Sequence, residues 1–142
     1  VAQLVLSFAI AVHVSYFFDP DNLASIRVDF DMTESILTEL VGNAIKYTSD
    51  AQTIRVEFVT DEAALIISVI DEGMGIAAHD LEKIFNLFYR ANNSGSVPGL
   101  GTGLYIARAM AVVLNGEISV HSKGLGSGST FSLKLPIHSQ NQ

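Results

Sequence analysis

Two glycine clusters constrain this chain more than any other feature. Asp71-Glu72-Gly73-Met74-Gly75-Ile76 closes an apolar run, and Gly99-Leu100-Gly101-Thr102-Gly103-Leu104 opens another. Glycine has no Cβ and reaches positive φ at little cost. Each cluster therefore lets the backbone bend sharply, or approach another group closely, where a regular element meets a loop. Between them lies Ala91 to Pro98, a polar stretch with no periodicity. Such an arrangement is expected to bring backbone close to a phosphate and a flat base, with the stretch between as a mobile loop.

Hydrophobic periodicity supplies the rest of the framework. Val1 to Val12 reads as a packed helix, His13 to Phe18 as a strand, Asp19-Pro20-Asp21-Asn22 as a turn and Ile26-Arg27-Val28 as a short extended piece. Asp31, with Glu34 three residues on, reads as the N-cap of a long helix in a capping box. Along that helix Ile36, Leu37, Leu40, Val41, Ala44 and Ile45 recur at spacings of three and four, which makes one face apolar. Thr53 to Thr60 alternates, with Ile54, Val56 and Phe58 inward and Arg55 and Glu57 outward. Asp61-Glu62-Ala63 turns the chain into Leu65 to Ile70, apolar enough to lie centrally in a sheet. Asp80 to Phe88 reads as a short helix, and Thr102 to Leu114 as a second long one ending at Asn115-Gly116. Glu117 to His121 and Thr130 to Leu135 form a last strand pair, and residues 137–142 a polar tail. This order predicts one α+β domain over residues 1–142, a two-layer α/β sandwich. Helices cover one face of a mixed, mostly antiparallel sheet.

Composition narrows the function classes. The 142 residues suffice for one sizeable core, and 49% hydrophobic against 16% charged residues is a globular balance. Fifteen acidic against eight basic side chains leave a formal charge of −7, which argues against nucleic acid as a partner but not against a nucleotide. No cysteine is present, so disulfides, thiolate metal sites and a Cys nucleophile are excluded. Val1 stands where a start Met would, so the chain is expected to be part of a longer protein. The opening apolar stretch has about half the length of a membrane span, and a packed helix is favoured over a truncated span.

Three constellations can carry chemistry. Glu39, Asn43, Lys46 and Tyr47 share one stripe of the first long helix. A carboxylate and an amide carbonyl suit Mg²⁺, which takes oxygen ligands and bridges phosphates, while an amine neutralises phosphate charge. Taken alone the stripe is better read as an exposed helix face. Asp71 closes an apolar strand, where its carboxylate can accept the exocyclic amine of adenine, though an Asp-Gly turn alone would read the same. Gly99 to Gly103 precedes a helix, and free N–H groups at a helix N-terminus bind anions. It is neither the dinucleotide fingerprint nor the Walker-type loop, since no strand-turn-helix unit surrounds it and no Lys-Ser or Lys-Thr follows.

Together these pieces resemble one family. Leu40-Val41-Gly42-Asn43-Ala44-Ile45-Lys46-Tyr47-Thr48 looks like the N box of sensor histidine kinases, and Asp71 to Ile76 like their G1 box. Ile84-Phe85-Asn86-Leu87-Phe88-Tyr89-Arg90 looks like the F box, Gly99 to Leu104 like the G2 box, and Gly126-Ser127-Gly128-Ser129-Thr130-Phe131 like the last glycine box. All five stand in the family's order over about Asp29 to Pro136. The resemblance implies the Bergerat-type ATP-binding fold shared with gyrase-type, mismatch-repair and heat-shock chaperone ATPases. It implies ATP and Mg²⁺ as ligands and a histidine on a separate dimerisation domain as phosphoacceptor. A response regulator follows downstream. It also implies a cytoplasmic domain whose parent can be membrane-anchored.

Residue roles follow from the same resemblance. Asp71 would bind the adenine amine, Thr130 would assist at the base through water, and Tyr47 would cover it. Gly73, Gly75 and Ile76 would form the turn beneath the base. Asn43 and Glu39 would hold Mg²⁺, and Lys46 would face the phosphates. Gly101, Thr102, Gly103 and Leu104 would line the phosphate loop, with backbone contacts from Gly101 and Gly103. Ala91 to Pro98 would be the ATP lid, with Phe85, Phe88 and Arg90 at its root. Arg90 would reach a phosphate or anchor the lid. Two positions depart from the family pattern. Glu39 stands where many of these kinases carry Asn and the related ATPases carry a general-base Glu, so it can polarise the attacking group or only help the metal. Tyr105 stands where many carry glycine, and its ring is expected to pack behind the phosphate loop. None of His13, His79, His121 and His138 has the sequence context of a phosphoacceptor. The alternatives are an ATPase switch with Glu39 as base, and a nucleotide-binding pseudokinase. The latter should have lost Asp71 or Asn43, and both are present.

Overall fold

A computed structural model describes residues 14–17, 28–49, 52–60, 63–91, 95 and 97–137. The expected helix over 1–12, the turn at 19–22, residues 26–27, the tip of the 61–63 turn, much of the lid and the tail beyond Ile137 lie outside these residues.

Helix α1 spans Phe30–Tyr47 and starts two residues earlier than the sequence suggests. Its N-cap is Asp29, not Asp31: Asp29 is extended (φ −64°, ψ 109°), and its Oδ1 accepts the Met32 amide at 2.9 Å. Only an extended residue can direct its side chain back onto the first-turn amides. Asp31, already helical, contributes as an acid in the first turn, where the helix dipole favours it. Thr33, Ile36, Leu37, Leu40, Val41 and Ala44 are buried, which is the anticipated face.

Among the described residues the sheet has five strands: β1 Val14–Phe17, β2 Ile54–Thr60, β3 Ala64–Asp71, β4 Glu117–His121 and β5 Ser129–Pro136. Their order is β1-β2-β3-β5-β4. β1 runs parallel to β2, and every other pair is antiparallel. The apolar β3 is therefore central, and residues 65, 67, 69 and 71, buried at alternate positions, face the helix side. Ile54 faces Asp71 across the β2–β3 pair, and Ser129 faces Asp71 across β3–β5, so three strand ends meet at one carboxylate.

Helix α2, Gly103–Val113, packs beside α1 on the same face of the sheet. Ile36, Leu40, Ile54, Ile67, Val69, Leu133 and Leu135 are fully buried between the layers. Each such side chain contributes about 1.5–3 kcal/mol relative to exposure. Asn115 takes a left-handed φ of 57° and the Gly116 amide returns to the Ala111 carbonyl at 2.8 Å, which ends α2 where expected.

Two expectations fail here. Asp80 to Phe88 is not one helix but two 3₁₀ turns, Ala78–Asp80 and Lys83–Phe85. Tertiary contacts outweigh local propensity. Phe85 is drawn into the core edge-on to Phe131 (centroids 6.3 Å apart), with the Arg108 guanidinium over its ring, 5.1 Å from the centroid. Phe88, at φ 64°, gives its amide to the Gly101 carbonyl at 2.8 Å. Tyr105 does not pack behind the phosphate loop. It is 46% exposed, because α2 turns Ala107 and Ala111 inward and leaves that position outward. Among the described residues no helix is long and apolar enough to cross a membrane.

Candidate functional site

The end of β3 delivers Asp71 into the space between sheet and helices with only 7% of its surface exposed. A buried carboxylate is costly unless hydrogen-bonded. Here Oδ1 accepts the amides of Gly73 at 2.9 Å and Ser129 at 3.2 Å, and Oδ2 accepts the Ser129 hydroxyl at 2.6 Å. A carboxylate offers about four lone-pair sites, so Oδ2 retains capacity for one more donor.

The loop after Asp71 is held by its neighbours rather than by its own turns. The Met74 amide donates to the Tyr47 carbonyl at 3.2 Å, which ties it to the end of α1. The Gly126 and Gly128 amides donate to Met74 and Gly73 carbonyls at 2.8 and 3.1 Å. The Ser122 hydroxyl accepts the Ile76 amide at 3.1 Å and donates to the Gly128 carbonyl at 2.7 Å. Gly75 sits at φ 69°, and a Cβ there would overlap the Gly124 carbonyl. The close approach of the two glycine loops thus needs glycine at this point. Glu72 points outward and accepts the Thr53 amide at 2.9 Å, a bond that holds its carboxyl below the usual range.

The second glycine cluster stands opposite, at the start of α2. Gly101 is left-handed (φ 71°) and lies so close to the Phe88–Tyr89 backbone that a side chain would collide with it. Glu39 of α1 fills the space beside the Gly103 Cα, and Lys46 Nζ lies 3.9 Å from where a Gly99 Cβ would stand. Among the described residues neither Glu39 nor Lys46 is ion-paired. Arg90 also reaches this region, and its guanidinium donates to the Val97 carbonyl across the base of the lid. The Tyr89 phenol donates to Asp80, and that bond, then desolvation and the carboxylate charge, raise its pKa above 10.0.

These elements enclose one cavity of about 300 Å³. Glu39, Asn43, Lys46, Tyr47, Asp71, Gly75, Ile76, Arg90, Gly101, Thr102, Gly103 and Leu104 line it, drawn from segments up to 65 residues apart in the chain. Gly73 does not line it and supports it through its bonds to Asp71 and Gly128. Phe88 and Thr130 do not line it. Phe88 is 67% exposed. Thr130 faces Ile70 across the sheet, on the opposite side from the buried Phe131, Leu133 and Leu135. Ser129 occupies the position expected of Thr130. Strand alternation could have shown this: if Phe131 faces inward, so does Ser129. Met74, Ile84, Tyr89 and Phe131 also line the cavity, and no local sequence pattern distinguishes them from ordinary core residues. Of the four histidines, His79 lies in the first 3₁₀ turn and His121 ends β4, both exposed; His13 and His138 are outside the described residues.

Glu39 and Asn43 are hard oxygen donors, and among the described residues no cluster of three Asp, Glu, His or Cys side chains is present. Oxygen donors of this kind are the type Mg²⁺ takes.

A one-sided sheet, two helices and a cleft with a buried acceptor at one end and cationic and amide groups at the other define the class: an ATP-binding domain. The chain belongs to the histidine kinase-, DNA gyrase B- and HSP90-like ATPase family, whose model matches residues 29–139. Its relatives there include the sensor histidine kinase RppB of Synechocystis, 38% identical over 140 residues, and the sensor histidine kinase WalK of Bacillus subtilis, 33% identical over 127. These alignments cover 94% and 87% of the chain but only 30% and 21% of the relatives. Among solved structures the fold matches the mycobacterial sensor histidine kinase MprB (TM-score 0.78, 19% identity, 96% of this chain and 89% of that one). It also matches full-length ShkA in complex with AMPPNP (TM-score 0.81, 23% identity, 99% of this chain and 30% of that one). The chain corresponds to the catalytic ATP-binding domain of sensor histidine kinases.

Proposed function

We propose that this domain transfers the γ-phosphoryl group of Mg·ATP to a histidine on a separate dimerisation domain of its parent. The supporting observation is the polarity of the cavity. Asp71, buried and with acceptor capacity to spare, stands at one end, while Asn43, Lys46 and the start of α2 stand at the other. Asp71 Oδ2 accepts the adenine amine, and Met74, Ile76, Ile84 and Phe131 keep water from the base. Tyr47 covers it. Lys46 and the amides of Gly101 and Gly103 meet the phosphates. Glu39 and Asn43 would hold Mg²⁺, which would supply neutralisation of phosphate charge. An imidazole nitrogen of the partner domain attacks Pγ, the bond from Pγ to the β,γ-bridging oxygen breaks, and ADP leaves with that electron pair. The chain's part is positioning and charge neutralisation. The lid closes over the phosphates. The phosphohistidine then serves a response regulator, and the domain works on the cytoplasmic side of a parent that can carry a membrane anchor.

Calorimetry with Mg·ATP should show one binding site. Mixing with a histidine-bearing dimerisation domain should yield acid-labile phosphohistidine. Glu39 favours a second reading, since its carboxylate lines the cavity without an ion-pair partner among the described residues. Under that reading Glu39 is the base for hydrolysis, and the domain alone would release phosphate continuously. Sustained release without phosphohistidine would replace the first reading by the second.

A further inference from the structure

We propose that Asp80 is a positioning residue for the phosphate end of the cavity, acting through Tyr89; the assignment rests on the nucleotide reading above. Asp80 lies in the first 3₁₀ turn, is 1% exposed and does not line the cavity. Its Oδ1 accepts the Tyr89 phenol. The imidazole of His79, largely exposed, stands 3.5 Å from Oδ2. A carboxylate taken out of water with a neutral phenol as its hydrogen-bonded partner is an expensive way to fill a core position. An apolar residue would pack there at lower cost, so the carboxylate is explained by what it holds.

Tyr89 connects this buried anchor to the site. Its side chain lines the cavity. Its carbonyl lies against Gly101 so closely that only glycine fits. The next residue is Arg90, which lines the cavity and bridges to Val97 at the far end of the lid. No regular helix supports residues 86–91, so helical hydrogen bonds do not set the direction in which the chain enters the lid. The Phe88 and Tyr89 amides hold the backbone through the Gly101 and Asn86 carbonyls at 2.8 and 3.1 Å, and the phenol–carboxylate bond adds the side-chain anchor. That anchor fixes the Tyr89 ring and, with it, the departure angle of Arg90, beside the backbone contacts that seat Gly101. At the base end of the cavity, among the described residues, Asp71 bonds to Gly73 and Ser129, and Ile76 to Ser122, not to this network.

The test is a double-mutant cycle on this chain, read by calorimetry with ATP, ADP and adenosine. Asp80→Ala should weaken ATP and ADP about tenfold and adenosine less than about twofold, because only the phosphate end is misplaced. Arg90→Ala should weaken ATP in the parent chain but by less than about twofold more when added to Asp80→Ala, since Arg90 is then already out of place. Asp80→Asn keeps an acceptor for the phenol and should restore ATP affinity to within about threefold. If Asp80→Ala does not fold, Tyr89→Phe removes the same bond and carries the same expectation. An equal loss for ATP and adenosine, unchanged ATP affinity, or an Arg90→Ala cost that is the same in both backgrounds overturns the positioning role while leaving nucleotide binding standing. No ATP binding by the unaltered chain overturns both.

Discussion

Replacing Asp71 by Asn changes one atom and should change base recognition. In the structure Oδ1 serves two amides and Oδ2 serves the Ser129 hydroxyl. The amide oxygen of Asn can keep the two backbone bonds. The NH₂ then takes the place of Oδ2, and the Ser129 hydroxyl can rotate to accept from it. The fold should therefore survive. The remaining N–H points where the adenine amine would approach, so a donor meets a donor. The lost charge-assisted bond is worth about 1.5–3 kcal/mol, and an unpaired donor costs about 1–3 kcal/mol more, partly overlapping. A combined loss of about 3 kcal/mol predicts roughly a hundredfold rise in Kd for ATP. Inosine triphosphate carries a carbonyl where adenine carries its amine. The parent chain should reject it, and Asp71→Asn should narrow or invert the ATP-to-ITP preference. Calorimetry with both nucleotides, alongside a thermal unfolding check, decides the matter. An ATP affinity within about threefold of the parent's, or an equal fall for both nucleotides, would show that Asp71 does not read the base.

Ser129→Ala removes the 2.6 Å bond to Asp71 and should cost about 1 kcal/mol, roughly fivefold in ATP affinity. Thr130→Ala, on the other face, should stay within about twofold, and nucleotide titrations of the pair test the strand register directly. Gly75→Ala puts a Cβ into the Gly124 carbonyl at a φ of 69°, so urea unfolding should show a loss above about 2 kcal/mol. Asn43→Ala should reduce Mg-dependent transfer to a histidine-bearing domain more than it reduces nucleotide binding; equal loss of both would remove its metal role. The Tyr89 phenol has a folded pKa raised above 10.0 by its bond to Asp80. The folded state thus holds that proton more tightly than the unfolded chain. Its stabilisation is fully present below pH 10 and is lost as pH rises through the folded value. Unfolding midpoints followed upward from pH 8 should fall more steeply for the parent chain than for Tyr89→Phe.

Helix α1, the β2–β3 hairpin, α2 and the last strand pair were legible because each carries its own period: three and four along a helix, two along a strand. The glycines of the two clusters were legible too, since left-handed or crowded backbone leaves few other choices. Gly75 and Gly101 both have that geometry. The stripe Glu39, Asn43, Lys46 and Tyr47 could be drawn from helix geometry alone, and all four line the cavity. What periodicity cannot express is contact between distant segments. It could not say that Asp29 and not Asp31 caps α1, since two acids in alternate positions look alike until the backbone angles are known. It could not foresee that residues 78–85 give up a helix so that Phe85 can enter the core.

Local chemistry in the chain, then, determined which stretches are helix or strand, which face of each is apolar, and where the backbone must be free of side chains. The meeting of Asp71 with Ser129, of Glu39 with Gly103, and of Asp80 with Tyr89 was decided only by tertiary packing. Hydrogen bonds and steric fit act over a few ångströms, and only the folded sheet and helices bring together groups 9 to 64 residues apart in sequence.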